Sequence, residues 1–308
     1  AVFAASVAQP VALPDLSQLR AIYTIARGSS DAAANVLAYE IMRETGLPAT
    51  SLPPSIFSVG QGVRLDDSAV IVVSQSGASD DLVRSARGAR ASGARVLALT
   101  NAPASPVEAA ADSTIRIGAG PELAVPATKS VIGAIAGGMA LLSALVPAYA
   151  LRAAASARSF AALPGKELPQ TRAILAALLR ASHVYVIGRD TGFGAAQELA
   201  LKLKECCALH AEAYSSSEVL HGPLQLVTNP LLILILDTEQ PEVQDSLDTA
   251  ETRFRAAGGT VVRLRPSDVG ATKFTPAAAA AALLCLTYPL VLQTALALGH
   301  DPDRPTTL

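Results

Sequence analysis

The chain has 308 residues, 51% hydrophobic and 16% charged, with a formal net charge of −2 at pH 7. That length predicts about two domains, each with enough apolar material for a buried core. No basic tract runs beyond scattered single residues, which argues against nucleic acid and against an anionic membrane surface as partners.

The opening AVFAASVAQP starts at Ala1 and resembles the middle of a helix, so the numbered chain is expected to be trimmed there; no signal peptide is visible. Ala21–Ala26 (AIYTIA) is a β-branched apolar run and predicts a buried strand. Arg27-Gly28-Ser29-Ser30-Asp31 follows, then a helical pattern through Glu44. The next strand, Ala69–Val73, stops in Ser74-Gln75-Ser76-Gly77-Ala78-Ser79-Asp80-Asp81. A helix is predicted from about Asp80 to Ala91, closed by Gly93, and Arg95–Leu99 is another strand. Short, fully apolar strands separated by helices predict an α/β fold with a parallel sheet covered on both faces.

Ser130–Leu151 and Phe274–Gly299 carry no charge and are long enough to cross a bilayer. Both are rich in Ala, contain Pro147 or Pro276 and Pro289, and lack aromatic belts and basic clusters at their flanks. They are expected to be buried helices, with no membrane partner.

The second half repeats the first. A constant offset carries Arg27 onto Arg189, Ala33-Ala34 onto Ala195-Ala196 and Ala69–Val73 onto Leu231–Ile235. This predicts two tandem α/β domains, 1–163 and 171–308, with a linker at about 164–170 in the Pro- and Gly-containing AALPGKELPQ. Cys206, Cys207 and Cys285 form no CxxC pair and have no metal-ligand spacing, so a reducing, cytoplasmic protein without a metal is expected.

Ligands of open parallel sheets bind at the carboxyl ends of strands. Ser74, Gln75, Ser76 and Ser79 lie there, with Gly77 permitting close backbone approach. Hydroxyls, backbone N–H groups and a helix start can hold a phosphate without any cationic side chain. A plain N-cap accounts for one of these residues, not for three hydroxyls and a Gln. Asp80 and Asp81 fall in the first helical turn, where acids are expected, and should face away from the anion. Ser29 and Ser30 could add hydroxyls on the same rim. Thr128 is a plausible N-cap for the helix that follows it. Lys129, unusual at a helix start, fits either a bound anion or a solvated side chain. In the second half Leu236-Asp237-Thr238-Glu239 replaces the hydroxyls, and an acidic loop there predicts one phosphate site per chain.

Glu198, Lys202 and Glu205 fall at i, i+4 and i+7 on one helix face. That spacing is either a surface ion-pair ladder or, given the flanking Ala-Leu pattern, a buried carboxylate able to act as a base. His221-Gly222-Pro223 places a His on a non-helical turn, suited to a positioned acid or base or to plain surface.

SQSG-x-[ST], E-x-x-V-x-x-T-K, E-x-A-L-K-L-K-E, H-A-E-A-Y and H-G-P-L occur here in the order seen in double sugar-isomerase (SIS) domain proteins. The chain resembles that family from about Thr24 to Arg304, most closely the isomerase half of glucosamine-6-phosphate synthase and the stand-alone type II glucosamine-6-phosphate deaminases. No glutaminase domain precedes it, which tilts the expectation toward the deaminases. The resemblance implies two SIS domains, each a flavodoxin-like three-layer sandwich, and no cofactor. It implies a hexose 6-phosphate held by Ser74, Gln75, Ser76 and Ser79, with Ser29, Ser30, Val125 and Thr128 beside it. Glu205 would move a proton between C1 and C2, Lys202 would lie near the sugar or the base, and His221 would assist ring opening across a homodimer interface. The alternatives it leaves are the synthase-like isomerase, a deglycase and a non-catalytic sugar-phosphate sensor. Two features depart from the family: Pro126-Ala127 stands where the synthases carry Ala-Ser, and the family's C-terminal lysine has no counterpart before Leu308.

Overall fold

The structure, a computed structural model, describes residues 2–307. It divides into one unit of Ala1–Pro121 with Lys129–Arg158 and a second of Glu122–Thr128 with Ser159–Leu308. The division falls slightly before the linker expected at 164–170, and the short segment 122–128 goes with the second half. One tie is visible: the Val125 N–H donates to the Asp303 carbonyl at 3.0 Å.

The first unit runs α1 (Val2–Val7), β1 (Ala21–Ile25), α2 (Ser29–Thr45), β2 (Ala49–Ser51), α3 (Ser55–Ser58), β3 (Ser68–Ser74), α4 (Asp80–Ala91), β4 (Arg95–Thr100), α5 (Pro106–Ala110), β5 (Ser113–Arg116) and α6 (Lys129–Leu145). Then α7 (Pro147–Phe160) carries the chain across the division. The second unit runs α8 (Thr171–Leu178), β6 (His183–Gly188), α9 (Thr191–Cys207), β7 (Ala211–Ser215), β8 (Leu231–Leu236), α10 (Gln244–Ala256), β9 (Thr260–Leu264) and α11 (Pro276–Ala297).

All strand pairs are parallel, in the orders β2-β1-β3-β4-β5 and β7-β6-β8-β9. Both orders reverse direction at the same place, between the first and third strands of the unit, and that is the crevice where ligands of such sheets sit. The central strands β3 and β8 are buried at every residue, as strands covered on both faces must be. On one face of the first sheet Val70, Val72 and Val96 pack against Leu82 and Ala86 of α4 and Val107 of α5; α2 and α6 pack together.

The charge-free stretch 130–151 is two helices. Proline has no N–H, and its ring clashes with the preceding turn, so α6 stops at Leu145 and Pro147 begins α7. The other stretch is the single helix α11, which keeps Pro289 inside it. Among the described residues α11 alone is long and apolar enough to cross a membrane, and it lies mostly buried against α9 and α8.

Candidate active site

In the first unit the crevice is formed by the ends of β1 and β3, which pair in register from Ala21↔Ser68 to Ile25↔Val72. The turns 28–31 and 74–79 therefore share one edge of the sheet, as the sequence implied. Ser74 Oγ accepts the Gly77 N–H at 3.0 Å and Ser76 Oγ accepts the Ala78 N–H at 3.3 Å. Those two N–H groups are thus taken up within the loop, and the hydroxyl protons remain to donate outward. An oxygen that accepts from N–H is polarised into a better donor.

Ser79 is the N-cap residue of α4, but its side chain makes no capping hydrogen bond. The loop is anchored from below. The Gln75 carbonyl accepts from Asn101 N and the Gly77 carbonyl from Val107 N. Gly77 has φ +61°, and a Cβ there would come within 2.2 Å of Ser105 Oγ. The two acids of the first turn are engaged elsewhere: Asp80 pairs with Arg84 at 2.9 Å and Asp81 with Arg27 at 3.2 Å. Ser29 and Ser30 open α2. Lys129 is exposed, as the solvated reading expected, and its ammonium donates to the Pro121 carbonyl.

In the second unit the loop after β8 is tied to β9 and α10. Asp237, fully buried, accepts from Glu239 N (2.8 Å), Gln244 Nε2 (2.9 Å), Arg263 Nε (2.8 Å) and Arg265 Nε (2.9 Å). Burial works to raise its carboxyl, but Gln244, the Glu239 N–H and the two guanidinium groups outweigh it and hold the group below its ordinary range. The loop's acid is thus an internally neutralised anion, not the exposed repelling charge that the sequence suggested. The arginines that neutralise it come from β9 and the turn after it, and no local motif announces them.

The i, i+4, i+7 residues of α9 do share one face, and they are no surface ladder. Lys202 is 1% exposed and Glu198 is fully buried. Lys202 Nζ lies 3.6 Å from Glu198 Oε1 and pairs directly with Glu205 Oε2. Glu205, expected to be the buried carboxylate, keeps 24% of its side chain exposed and so can meet a ligand. The Tyr288 hydroxyl, on α11, donates to Glu198 Oε1 at 3.1 Å. Tyr288 was not foreseen; its one signal is a lone phenol inside an apolar helix.

A cavity of about 370 Å³ opens here, lined among others by Thr128, Lys202, Cys206, Cys285, Tyr288 and Leu292. Thr128 and Lys202 thus meet, while the Val125 side chain stays exposed beside them in sequence. Burial, followed by the neighbouring Glu198, pushes the Tyr288 phenol well above its usual range. Burial also lifts the Cys206 thiol to about 11, against the pull of Lys202, so neither group ionises near neutral pH. His221 ends a 3-10 turn, Glu218–His221, and is exposed. A second such turn, Pro223–Thr228, follows, and its Pro223 carbonyl accepts the Tyr185 hydroxyl at 3.1 Å. Among the described residues no group of three or more His, Cys, Asp or Glu could hold a metal.

Residues 15–144 and 177–265 match the SIS domain. The chain belongs to the SIS domain family. This SIS chain is 31% identical to the glutamine–fructose-6-phosphate aminotransferase (isomerizing) of Symbiobacterium thermophilum, over 96% of its own length and 52% of the relative's. With the enzyme of the same name from Aeropyrum pernix the figures are 30%, 92% and 49%. The SIS chain thus spans about half the length of these curated relatives. A crystal structure from Silicibacter pomeroyi DSS-3, named a phosphosugar isomerase by inference, superposes with a TM-score of 0.81 at 34% identity, covering 94% of this chain and 90% of that one. Glucosamine-6-phosphate deaminase of Thermotoga maritima shares the fold, with a TM-score of 0.76 at 19% identity over 95% and 91% of the two chains.

Proposed function

We propose that the protein is a sugar-phosphate aldose–ketose enzyme that converts glucosamine 6-phosphate and water to fructose 6-phosphate and ammonia. The observation that carries this reading is the Lys202–Glu205 pair: a partly exposed carboxylate held by a buried ammonium that itself lines a cavity. Such a carboxylate can take a proton from carbon once the substrate's own carbonyl accepts the electrons. Within the first unit the loop 74–79 and Ser29 and Ser30 stand on one sheet edge, where their hydroxyls suit a phosphate.

In the open-chain sugar the amine is on C2 and the aldehyde is C1. Glu205 removes the C2 proton, the electrons pass to the C1 oxygen, and that oxygen gains a proton. Return of a proton to C1 leaves an imine at C2. Water adds to the imine carbon, ammonia leaves, and the ketose remains. Lys202 holds the Glu205 side chain in place for the first step. The exposed His221 is proposed to open the sugar ring in the partner subunit of a homodimer. Three free thiols fit action in the reducing cytoplasm.

The names of the curated relatives, about half of whose length this chain spans, favour a second reading, in which the same proton shuttle aminates fructose 6-phosphate. Purified protein is expected to release ammonia from glucosamine 6-phosphate, and Glu205→Gln to lose at least about a hundredfold in turnover. Normal turnover by Glu205→Gln sinks the role of the base. Formation of aminosugar phosphate from ketose and ammonia, with no release in the other direction, selects the second reading.

A further inference from the structure

Two carboxylates of α9 compete for one ammonium. Lys202 Nζ pairs with Glu205 and lies 3.6 Å from Glu198. All three groups lie within two helical turns, and Lys202 and Glu198 are shut away from water. How the ammonium divides between its partners therefore depends on what else stabilises Glu198. The Tyr288 hydroxyl is such a group, and it reaches Glu198 Oε1 from another helix at 3.1 Å.

We propose that Tyr288 is a positioning residue for the base: by donating to Glu198 it leaves the Lys202 ammonium on Glu205. The inference rests on the reading of Glu205 as the base. Tyr288 touches neither Glu205 nor a reacting atom in this scheme, and acts through Glu198 and Lys202. Burial and Glu198 keep the phenol protonated well beyond neutral pH, so it stays a donor across the working range.

The other titratable groups around this cluster are few. From α9 itself there is Cys206, and from α11 Cys285, both kept neutral by burial. The Asp303 carboxylate from the C-terminal stretch and the Glu122 carboxylate from segment 122–128 add fixed negative charge. β6 and β7, which pack against α9, carry His183, Tyr185, Glu212 and Tyr214, and the two tyrosines belong to the core cluster with Phe254. β8 contributes no ionisable residue. Tyr288 is the neutral donor among these groups that the structure aims at Glu198.

Removing the hydroxyl withdraws a hydrogen bond from a buried carboxylate, one of the stronger kinds. Glu198 then draws Lys202 away, Glu205 holds its proton more tightly, and the acid limb of kcat/KM moves up. Tyr288→Phe keeps the ring and its packing. It is expected to move that limb upward by about one pH unit, with KM for the sugar phosphate unchanged. Installing 3-fluorotyrosine at position 288, a stronger donor of nearly the same shape, is expected to move the limb downward. This second variant serves if Tyr288→Phe fails to fold.

A ring that merely fills space leaves the limb where it was in both variants, and that result overturns the proposal; so does a shift of the same sign in both. If the wild-type protein turns over no hexose 6-phosphate, the functional reading has failed on its own. The positioning role is then read in the ligand-free protein from the infrared titration of the Glu205 carboxylate, taken as a difference against Glu205→Gln. The same opposite shifts support it and their absence overturns it.

Discussion

Gly77 turns the hydroxyl loop, and replacing it with Ala tests how that loop is held. Two separate costs follow from its surroundings. Its φ of +61° is a left-handed conformation, which costs an L-residue about 1–2 kcal/mol. A Cβ would also stand 2.2 Å from Ser105 Oγ, 2.5 Å from Ser105 Cβ and 2.9 Å from Thr100 Oγ1. Ser105 and Thr100 are both buried, and Ser105 caps α5 by accepting the Glu108 N–H, so neither can simply swing away. Overpacking of this kind costs about 1–3 kcal/mol more.

Gly46 provides the control. It has φ +70° and no neighbouring atom within 4 Å of an added Cβ, so Gly46→Ala carries the conformational cost alone. Thermal or urea unfolding should therefore show Gly77→Ala less stable than wild type by about 2–5 kcal/mol, and less stable than Gly46→Ala by about 1–3 kcal/mol. At about 2–4 °C per kcal/mol for a chain portion of this size, the gap between the two variants is roughly 2–12 °C. A Gly77→Ala protein as stable as Gly46→Ala would refute the close packing of the loop on Ser105 and Thr100.

Three further outcomes are expected. Ser79→Ala should raise KM for the sugar phosphate about tenfold with kcat little changed, because a phosphate contact far from the reacting carbons is present equally in ground and transition states; steady-state kinetics check it. Asp237→Asn should lose about 3–5 kcal/mol at pH 7, measured by urea unfolding, since it leaves two guanidinium groups facing a lost charge. The Asp237 carboxyl is held below its ordinary value, so its contribution is fully present above the unfolded value of about 3.9 and is lost as pH falls through the folded value. The gap between wild type and variant should accordingly narrow below about pH 4. The Cys206 thiol, lifted to about 11, should alkylate slowly at pH 8, with a rate that keeps climbing toward pH 11. Mass spectrometry of the labelled peptide follows it.

Most of the frame was legible because buried parallel strands are written as short unbroken apolar runs. Ala69–Val73 and Leu231–Ile235 became β3 and β8, each gaining one residue or two. The strands β2, β5 and β7 were not foreseen: they lie at sheet edges, are 3, 4 and 5 residues long, and are only partly buried, so neither run nor alternation marks them. The spacing of Glu198, Lys202 and Glu205 placed them on one face, but which carboxylate would be buried depended on α11, some 90 residues away. Lys129 looked anomalous at a helix start because its partner is a backbone carbonyl, and carbonyls leave no trace in the identity of a residue. The same limit hid the loop's inward hydrogen bonds, where two serine oxygens accept from the chain's own N–H groups.

Asp237 gives the loop after β8 an anion that the loop after β3 does not carry at the matching position. A carboxylate tethered to its own backbone is a ligand that never dissociates, so the second unit's arginines are saturated at any metabolite level. On the proposed reading, free sugar phosphate adds to the protein's resistance to unfolding as the logarithm of its concentration, whereas the Asp237 cluster contributes the same amount at any ligand level.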